Sequence, residues 1–264
     1  MSDVIELQQH GSVLTVALNR PESHNAMSPQ MIMALTAVFR DLRQREDVRI
    51  VVLTGNGRSF CAGADLNYMR AAADYSFADN IRDGEAIFDL MVSVENCPQP
   101  VVGRINGAAI GGGAGLVSCC DITVVVDRAK FAFSEARLGI IPAVISPFVL
   151  AKIGPNNGRE LFLTGERFSA ERARQVGLVQ HVVAAIDLDK VVQERVSQLL
   201  QAAPGAQAAV KQLIQQVAYQ PKTAVRGYTA NMIAQRRASD EGREGMSAFL
   251  EKRRPVWQEE PNHV

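Results

Sequence analysis

Apolar and polar positions along this chain follow two periods, and the periods trade places in a recurring order. Residues 4–7 and 13–18 are strand-like, and His10-Gly11 between them marks a turn, so the opening predicts a β-hairpin. Ser28-Pro29 then sets a hydroxyl cap ahead of a proline at the first helical position, which predicts a helix running to about Arg45. Within it Met31, Leu35, Val38 and Leu42 recur at steps of three and four and share one face. Residues 49–54 form a buried-type strand. Residues 66–95 are predicted mostly helical, with a polar interruption at 74–79. A short strand at Val101-Val102, a glycine-rich turn and a helix over 112–120 come next. A β-branched strand at 122–126 and an apolar-alternating one near Phe131 and Phe133 follow. Strand, strand and helix thus recur, although no sequence repeat is visible. From about Asp187 the pattern is helical, over 191–201, 206–217, 224–237 and 241–251. The expectation is an α/β core over residues 1–190 and a helical C-terminal region over 191–264, with a frayed polar tail after Pro255.

Composition narrows what such a chain can do. Its 264 residues suit one large domain better than two full ones, and 47% hydrophobic content is ordinary for a globular core. Lys+Arg 28 against Asp+Glu 28 leaves no net charge, so neither nucleic acid nor an acidic membrane is an expected partner. The first residues lack a basic segment followed by an apolar run, so no signal peptide is expected. No stretch approaches the roughly 18 apolar residues of a membrane span. Cys61, Cys97, Cys119 and Cys120 have no metal-type spacing and read as reduced thiols of a cytoplasmic protein. His10, His24, His181 and His263 show no ligand spacing, so no metal is expected. Arg40, Arg43, Arg45 and Arg49 are interleaved with Asp41, Glu46 and Asp47, which describes a solvated helix face.

Candidate chemistry lies in two glycine-containing turns. Ser59-Phe60-Cys61-Ala62-Gly63-Ala64-Asp65-Leu66 leaves a strand and enters a helix, and residues 105–116 do the same around Gly111-Gly112-Gly113. Each places free backbone N–H groups at a helix start, where the dipole favours negative charge. Two such donors converging on one point would stabilise an enolate or oxyanion. Small residues at such turns also serve tight packing, and spacing alone leaves both readings open. A dinucleotide-binding reading of residues 111–115 lacks an early βαβ unit and an acid about 20 residues further on. Cys61 has no histidine nearby and reads as a packed thiol, and Asp65 reads as a helix cap. Taken alone, Glu135 is one more solvated glutamate.

The order of motifs changes that picture. Asn19-Arg20-Pro21 with Asn25-Ala26-Met27-Ser28, then Gly63-Ala64-Asp65-Leu66, then Asn106-Gly107 with Gly111-Gly112-Gly113, then Cys120-Asp121-Ile122 resemble the motifs of the crotonase (enoyl-CoA hydratase/isomerase) superfamily. Phe133-Ser134-Glu135 with Leu138-Gly139-Ile140-Ile141-Pro142 continues the resemblance, as do Glu241-Gly242, Glu244-Gly245-Met246 and residues 249–253. The likeness implies a spiral of ββα turns with a helical C-terminal trimerisation region, and a homo-oligomer that is a trimer or a dimer of trimers. It implies an acyl-CoA substrate, with coenzyme A belonging to the substrate and no separate cofactor. The thioester carbonyl is then expected between the N–H groups of Ala64 and Gly112. Further CoA contacts are implied for His24, Ala26, Ala62, Gly63, Asp65, Leu66 and Gly111, with Phe249 and Lys252 reaching a neighbouring subunit's CoA. Cys61, Gly115, Leu138 and Pro142 are expected around the pocket. Some relatives bind RNA through a lysine-rich form of the first long helix, and that comb is absent here.

Hydratases of this superfamily carry two glutamates, one shortly after the glycine triplet and one before the Leu-Gly-x-x-Pro segment. Glu135 matches the second; Gly115 stands at the first, leaving room there but no base. Phe133, Leu138 and Ile141 are expected to surround Glu135 and disfavour its charged form, which suits proton transfer near neutral pH. Residues 115–122 and 134–147 resemble bacterial methylglutaconyl-CoA hydratases of leucine breakdown. The resemblance thus implies hydration of a short or branched 2-enoyl-CoA. The alternative is a Δ3,Δ2-enoyl-CoA isomerase, for which one glutamate suffices. A non-catalytic CoA-thioester binding protein is the third reading, and the presence of Glu135 speaks against it.

Overall fold

In the computed structural model, which describes residues 4–258, the opening hairpin pairs β1 (Ile5–His10) with β2 (Val13–Leu18). Helix α1 (Pro29–Asp41) follows, and the Ser28 hydroxyl accepts from the Met31 amide at 3.3 Å. Such a cap is worth about 1 kcal/mol. Met31, Leu35 and Phe39 are fully buried from this helix, which tightens into a 3-10 turn at Leu42–Gln44 before the predicted end. β3 (Ile50–Gly55) is buried along its whole length. The expected interruption divides α2 (Leu66–Ala72) from α3 (Phe77–Glu95), and Ser76 with Asp79 forms a capping box that restarts the helix.

The next turns contain β4 (Val101–Ile105), β5 (Ala109–Ile110), α4 (Gly112–Cys119), β6 (Ile122–Val126), β7 (Lys130–Ala132) and α5 (Ser146–Thr164). After them come β8 (Arg167–Ser169), α6 (Ala170–Gln175), β9 (His181–Val183), α7 (Leu188–Leu200), α8 (Pro204–Val217), α9 (Arg226–Ala238) and α10 (Asp240–Leu250). The main sheet runs β1-β2-β3-β4-β6-β9, parallel from β2 onward, with Val13 opposite Ile50, Val51 opposite Val101 and Val102 opposite Ile122. A second layer runs β5-β7-β8 and is extended by parallel bridges between Cys61 and Ala109 and between Met27 and Ala64.

Each turn of the spiral therefore gives one long strand to the main sheet and one short segment to the second layer, then closes with a helix. Corresponding points of successive turns lie side by side. That stacking brings the residues around Met27, Cys61–Ala64, Ala109–Gly112 and Lys130–Glu135 together, although about 110 positions separate the first from the last.

Helix α7 lies on the main sheet through Leu188, Val192 and Val196. The last three helices bury far less: none of the residues of α8 and α9 is fully buried, and only Ala248 of α10 is. Helix α8 is tied to the core by Lys211, whose ammonium lies 2.6 Å from Asp121. Among the described residues no helix is long and apolar enough to cross a membrane. Part of the polar tail after Pro255 lies outside the described residues.

Candidate active site

The segment between β3 and α2 is stitched on both sides. The amides of Phe60 and Cys61 donate to the Ala108 carbonyl at 3.0 Å each, and the Ile110 amide donates to the Cys61 carbonyl at 3.0 Å. On the opposite side the Met27 amide donates to Gly63 at 2.7 Å, and the Asp65 amide donates to Met27 at 2.9 Å. In a parallel pairing of this kind the residues flanking Ala64 make the bonds, so the N–H of Ala64 points away from Met27. Gly63 makes this possible with φ 97, a conformation closed to most side chains. Asp65 then caps α2, accepting from the amides of Asn67 at 2.8 Å and Tyr68 at 3.2 Å.

The second turn comes from the next spiral turn. Gly111 has φ 51 and donates its amide to Ala132 at 2.9 Å, and Gly112 opens α4 with an N–H that has no partner within the helix. The two turns touch at Gly113, where a Cβ would fall 2.5 Å from the Cys61 carbonyl oxygen. Ala64 and Gly112 consequently line one cavity of about 440 Å³.

Glu135 reaches the same cavity from the third turn, at the start of the 3-10 helix Ser134–Leu138. Its Oε1 would lie 3.0 Å from a Cβ on Gly111, so the carboxylate leans across the second turn. Its Oε2 is buried with no hydrogen-bond partner among the described residues. Burial pushes the pKa of Glu135 up, opposed more weakly by a hydrogen bond from its own backbone. Two amide donors and a carboxylate eager for a proton thus face one apolar space. This arrangement can hold a carbonyl that becomes an enolate while a proton moves at the neighbouring carbon.

Three expectations are corrected by the packing. Phe133 does not flank Glu135: strand alternation turns its ring into the core, against Phe162 and Phe168 at 5.0 and 5.8 Å. Leu138, Ile140, Ile141 and Pro142 supply the apolar wall instead. Gly115 leaves no room, because a Cβ there would fall 2.5 Å from Ile145 Cγ2 and 3.2 Å from Met91 Cε. Position 115 lacks a carboxylate, and Ile145 fills the place one would take. Cys61 is fully buried behind the first turn, and burial pushes its thiol up to about 11, so it faces no cavity and is a poor nucleophile.

Of the remaining candidates, Ala62, Gly63, Leu66, Gly111, Leu138 and Pro142 line the cavity with Ala64, Gly112 and Glu135. His24, with Nδ1 3.1 Å from Ser59 Oγ, opens on a second cavity of about 470 Å³ shared with Arg58, Arg128 and Lys130. Asp65 faces Arg20, and Ala26 is buried with its carbonyl accepting from the same guanidinium. Phe249 and Lys252 are exposed on α10 and just beyond it, and neither lines the cavity of its own chain. Pattern reading missed Tyr68, Met69 and Ile87, which complete the wall. The Tyr68 hydroxyl donates to Asp83, and burial followed by that hydrogen bond raises its pKa. Helical spacing marks Ile87 as inward-facing without saying which interior it faces.

Comparison with known proteins gives the family and the fold. The model of the family described as enoyl-CoA hydratase/isomerase matches residues 8–260. The carnitinyl-CoA dehydratase of Escherichia coli K12 is 34% identical over 263 residues, covering 97% of this chain and 99% of that protein. The crystal structure of an enoyl-CoA hydratase from Shewanella pealeana superposes with a TM-score of 0.93 at 36% identity, covering 96% of both chains. Pseudomonas aeruginosa AtuE gives a TM-score of 0.93 at 36% identity, over 97% of this chain and 100% of that one.

Proposed function

The chain belongs to the enoyl-CoA hydratase/isomerase family, and from that premise we propose that it adds water to a short or branched 2-enoyl-CoA with Glu135 as its single acid/base. In this reading the thioester carbonyl accepts from the amides of Ala64 and Gly112. As water attacks the β-carbon, charge collects on the thioester oxygen, where each fixed donor is worth about 2.7–4 kcal/mol. Ionised Glu135 takes a proton from the attacking water and returns one to the α-carbon. One O–H bond of water and the π bond between C2 and C3 break, and one C–O and one C–H bond form; addition to a single face lets one carboxylate do both. The observation that carries this reading is the buried, unpartnered Oε2 of Glu135 beside the Gly111 turn.

The apolar lining supports a short aliphatic acyl group. The finer proposal, a methylglutaconyl-like group from leucine breakdown, rests on the likeness of residues 115–122 and 134–147. No lysine or arginine lines the cavity among the described residues, so a terminal carboxylate on such a group must reach the mouth and stay hydrated. The phosphates of CoA fit the cavity at His24, where Arg58, Arg128 and Lys130 supply positive charge. Four buried free cysteines suit a reducing, cytoplasmic setting.

Residues 191–264 are proposed to serve assembly as a trimer or dimer of trimers. Val210, Ile214, Ile233, Phe249 and Leu250 are exposed among the described residues, and a neighbouring subunit would cover them. Phe249 and Lys252 would then approach a neighbour's CoA.

Ile145 at the place of a second carboxylate also supports the alternative, an isomerase moving a proton between C2 and C4 with one glutamate. A panel of enoyl-CoA thioesters read by mass decides. Hydration adds the mass of one water, and isomerisation adds nothing.

A further inference from the structure

Ala64 is held against Met27 by a single bridge, so the direction of its N–H depends on what fixes the two edges of that bridge. One residue outside the cavity holds both. The Arg20 guanidinium donates through Nη1 to the Ala26 carbonyl at 2.8 Å and through Nη2 to the Asp65 carboxylate at 2.8 Å. It thereby joins the residue before Met27 to the residue after Ala64. The other oxygen of Asp65 accepts from the first amides of α2, so the same carboxylate locks the turn to the helix.

Arg20 is itself held from behind. Its amide donates to Asn25 Oδ1 at 2.8 Å, and its carbonyl accepts from the Asn25 amide at 2.8 Å. Asn25 is fully buried, and its side-chain amide donates to the carbonyls of Asn56 at 2.8 Å and Ser59 at 2.9 Å. His24 and Asn25 both have positive φ, which doubles the chain back so that Ala26 and Met27 lie along the turn. The Arg20–Asp65 pair is largely withdrawn from water, with side chains 22% and 11% exposed. Bridging two acceptors at a fixed angle needs a planar fork, which lysine lacks.

We propose that Arg20 is a positioning residue for the reaction, aiming the Ala64 N–H at the thioester oxygen without touching substrate. The proposal rests on Ala64 being an oxyanion donor, and the test separates the two. The probe is butyryl-CoA carrying a ¹³C-labelled thioester carbonyl, which has no double bond to hydrate. Its carbonyl stretch is read by infrared difference spectroscopy on the intact protein.

Wild type should lower the stretch relative to free butyryl-CoA. Arg20→Lys should recover part of the free frequency, with kcat for the 2-enoyl substrate down about tenfold to a hundredfold and KM changed less. That falls short of the roughly 10²–10³-fold loss on removing a donor outright. Asp65→Asn keeps the helix cap and loses the ion pair, so it should shift the stretch the same way and serves if Arg20→Lys does not fold. A merely structural role would lower thermal stability and leave the stretch of bound probe unchanged. A wild-type stretch in the folded variants overturns the proposal. No lowered stretch in wild type overturns the donor assignment of Ala64, and the proposal with it.

Discussion

Glu135 stabilises the fold less than a neutral residue would, and the proposed proton transfer draws on that same raised proton affinity. Its pKa is raised by burial, so the folded state holds this proton more tightly than the unfolded chain does. The stability it contributes is fully present below the ordinary glutamate pKa and is lost as pH rises from there through the raised folded value. Glu135→Gln should therefore be more stable than wild type at neutral pH, with the gain shrinking in acid. Denaturant melts at both pH values check this. The same variant should lose more than about a hundredfold in kcat while binding CoA thioester almost unchanged. In wild type the acidic limb of kcat/KM should lie above the ordinary carboxylate range, because the base must be ionised to accept a proton. Proline at Ala64 is a second test at this scale. The pairing with Met27 runs through the Gly63 carbonyl and the Asp65 amide, so Ala64→Pro removes the outward donor and spares those bonds. Turnover should fall about 10²–10³-fold in a protein that still melts cooperatively, read by steady-state kinetics beside a thermal melt. The types and spacing of Ala64, Gly112 and Glu135 were legible in the sequence through ordered motifs. The direction of Phe133 was not, because alternation puts it on the face of Phe131 without saying that Phe162 and Phe168 lie across that face.

Among the elements, the hairpin, the first long helix and the strand-strand-helix recurrence could be read from period and caps. Two features escaped. α5, which the pattern reading did not mark, is two helical segments joined at a kink, where Gly154 has φ 71 and Pro155 follows. Two-residue β5 is too short to have a period, and it forms because β7 of the next turn pairs with it on one side and Cys61 of the preceding turn bridges to it on the other. Close contacts between elements are equally silent in a pattern. Gly115 suggested a vacancy, while the turn before α5 brings Ile145 into it. Gly115→Glu should accordingly destabilise the protein by at least about 1–3 kcal/mol and should not improve hydration. Adding Ile145→Ala removes the Cγ2 atom that blocks the new side chain, so the double variant should lose less stability than the sum of the singles. Thermal or denaturant melts of the four proteins give the coupling; strict additivity would mean Ile145 does not occupy that place.

Across the whole molecule, the spiral explains why residues from three turns share one cavity, and the poorly buried C-terminal helices are what the proposed assembly would cover. Removing residues from Glu241 onward should abolish any trimer-based particle in light scattering and raise KM for CoA thioesters. Glu241 also holds α8 and α9 together, accepting from the Gly205 amide at 2.9 Å and pairing with Arg236, so its loss loosens the layer as well as the contact. A monomeric intact chain with full activity would contradict the assembly. Hydration itself is tested most directly in water enriched in heavy oxygen. Wild type should place the isotope on the β-carbon of the 3-hydroxyacyl-CoA formed from a 2-enoyl-CoA, and Glu135→Gln should place almost none. Conversion of a 3-enoyl-CoA to its 2-enoyl isomer with no isotope incorporated, while 2-enoyl substrates stay unhydrated, would contradict the hydratase reading and leave the isomerase.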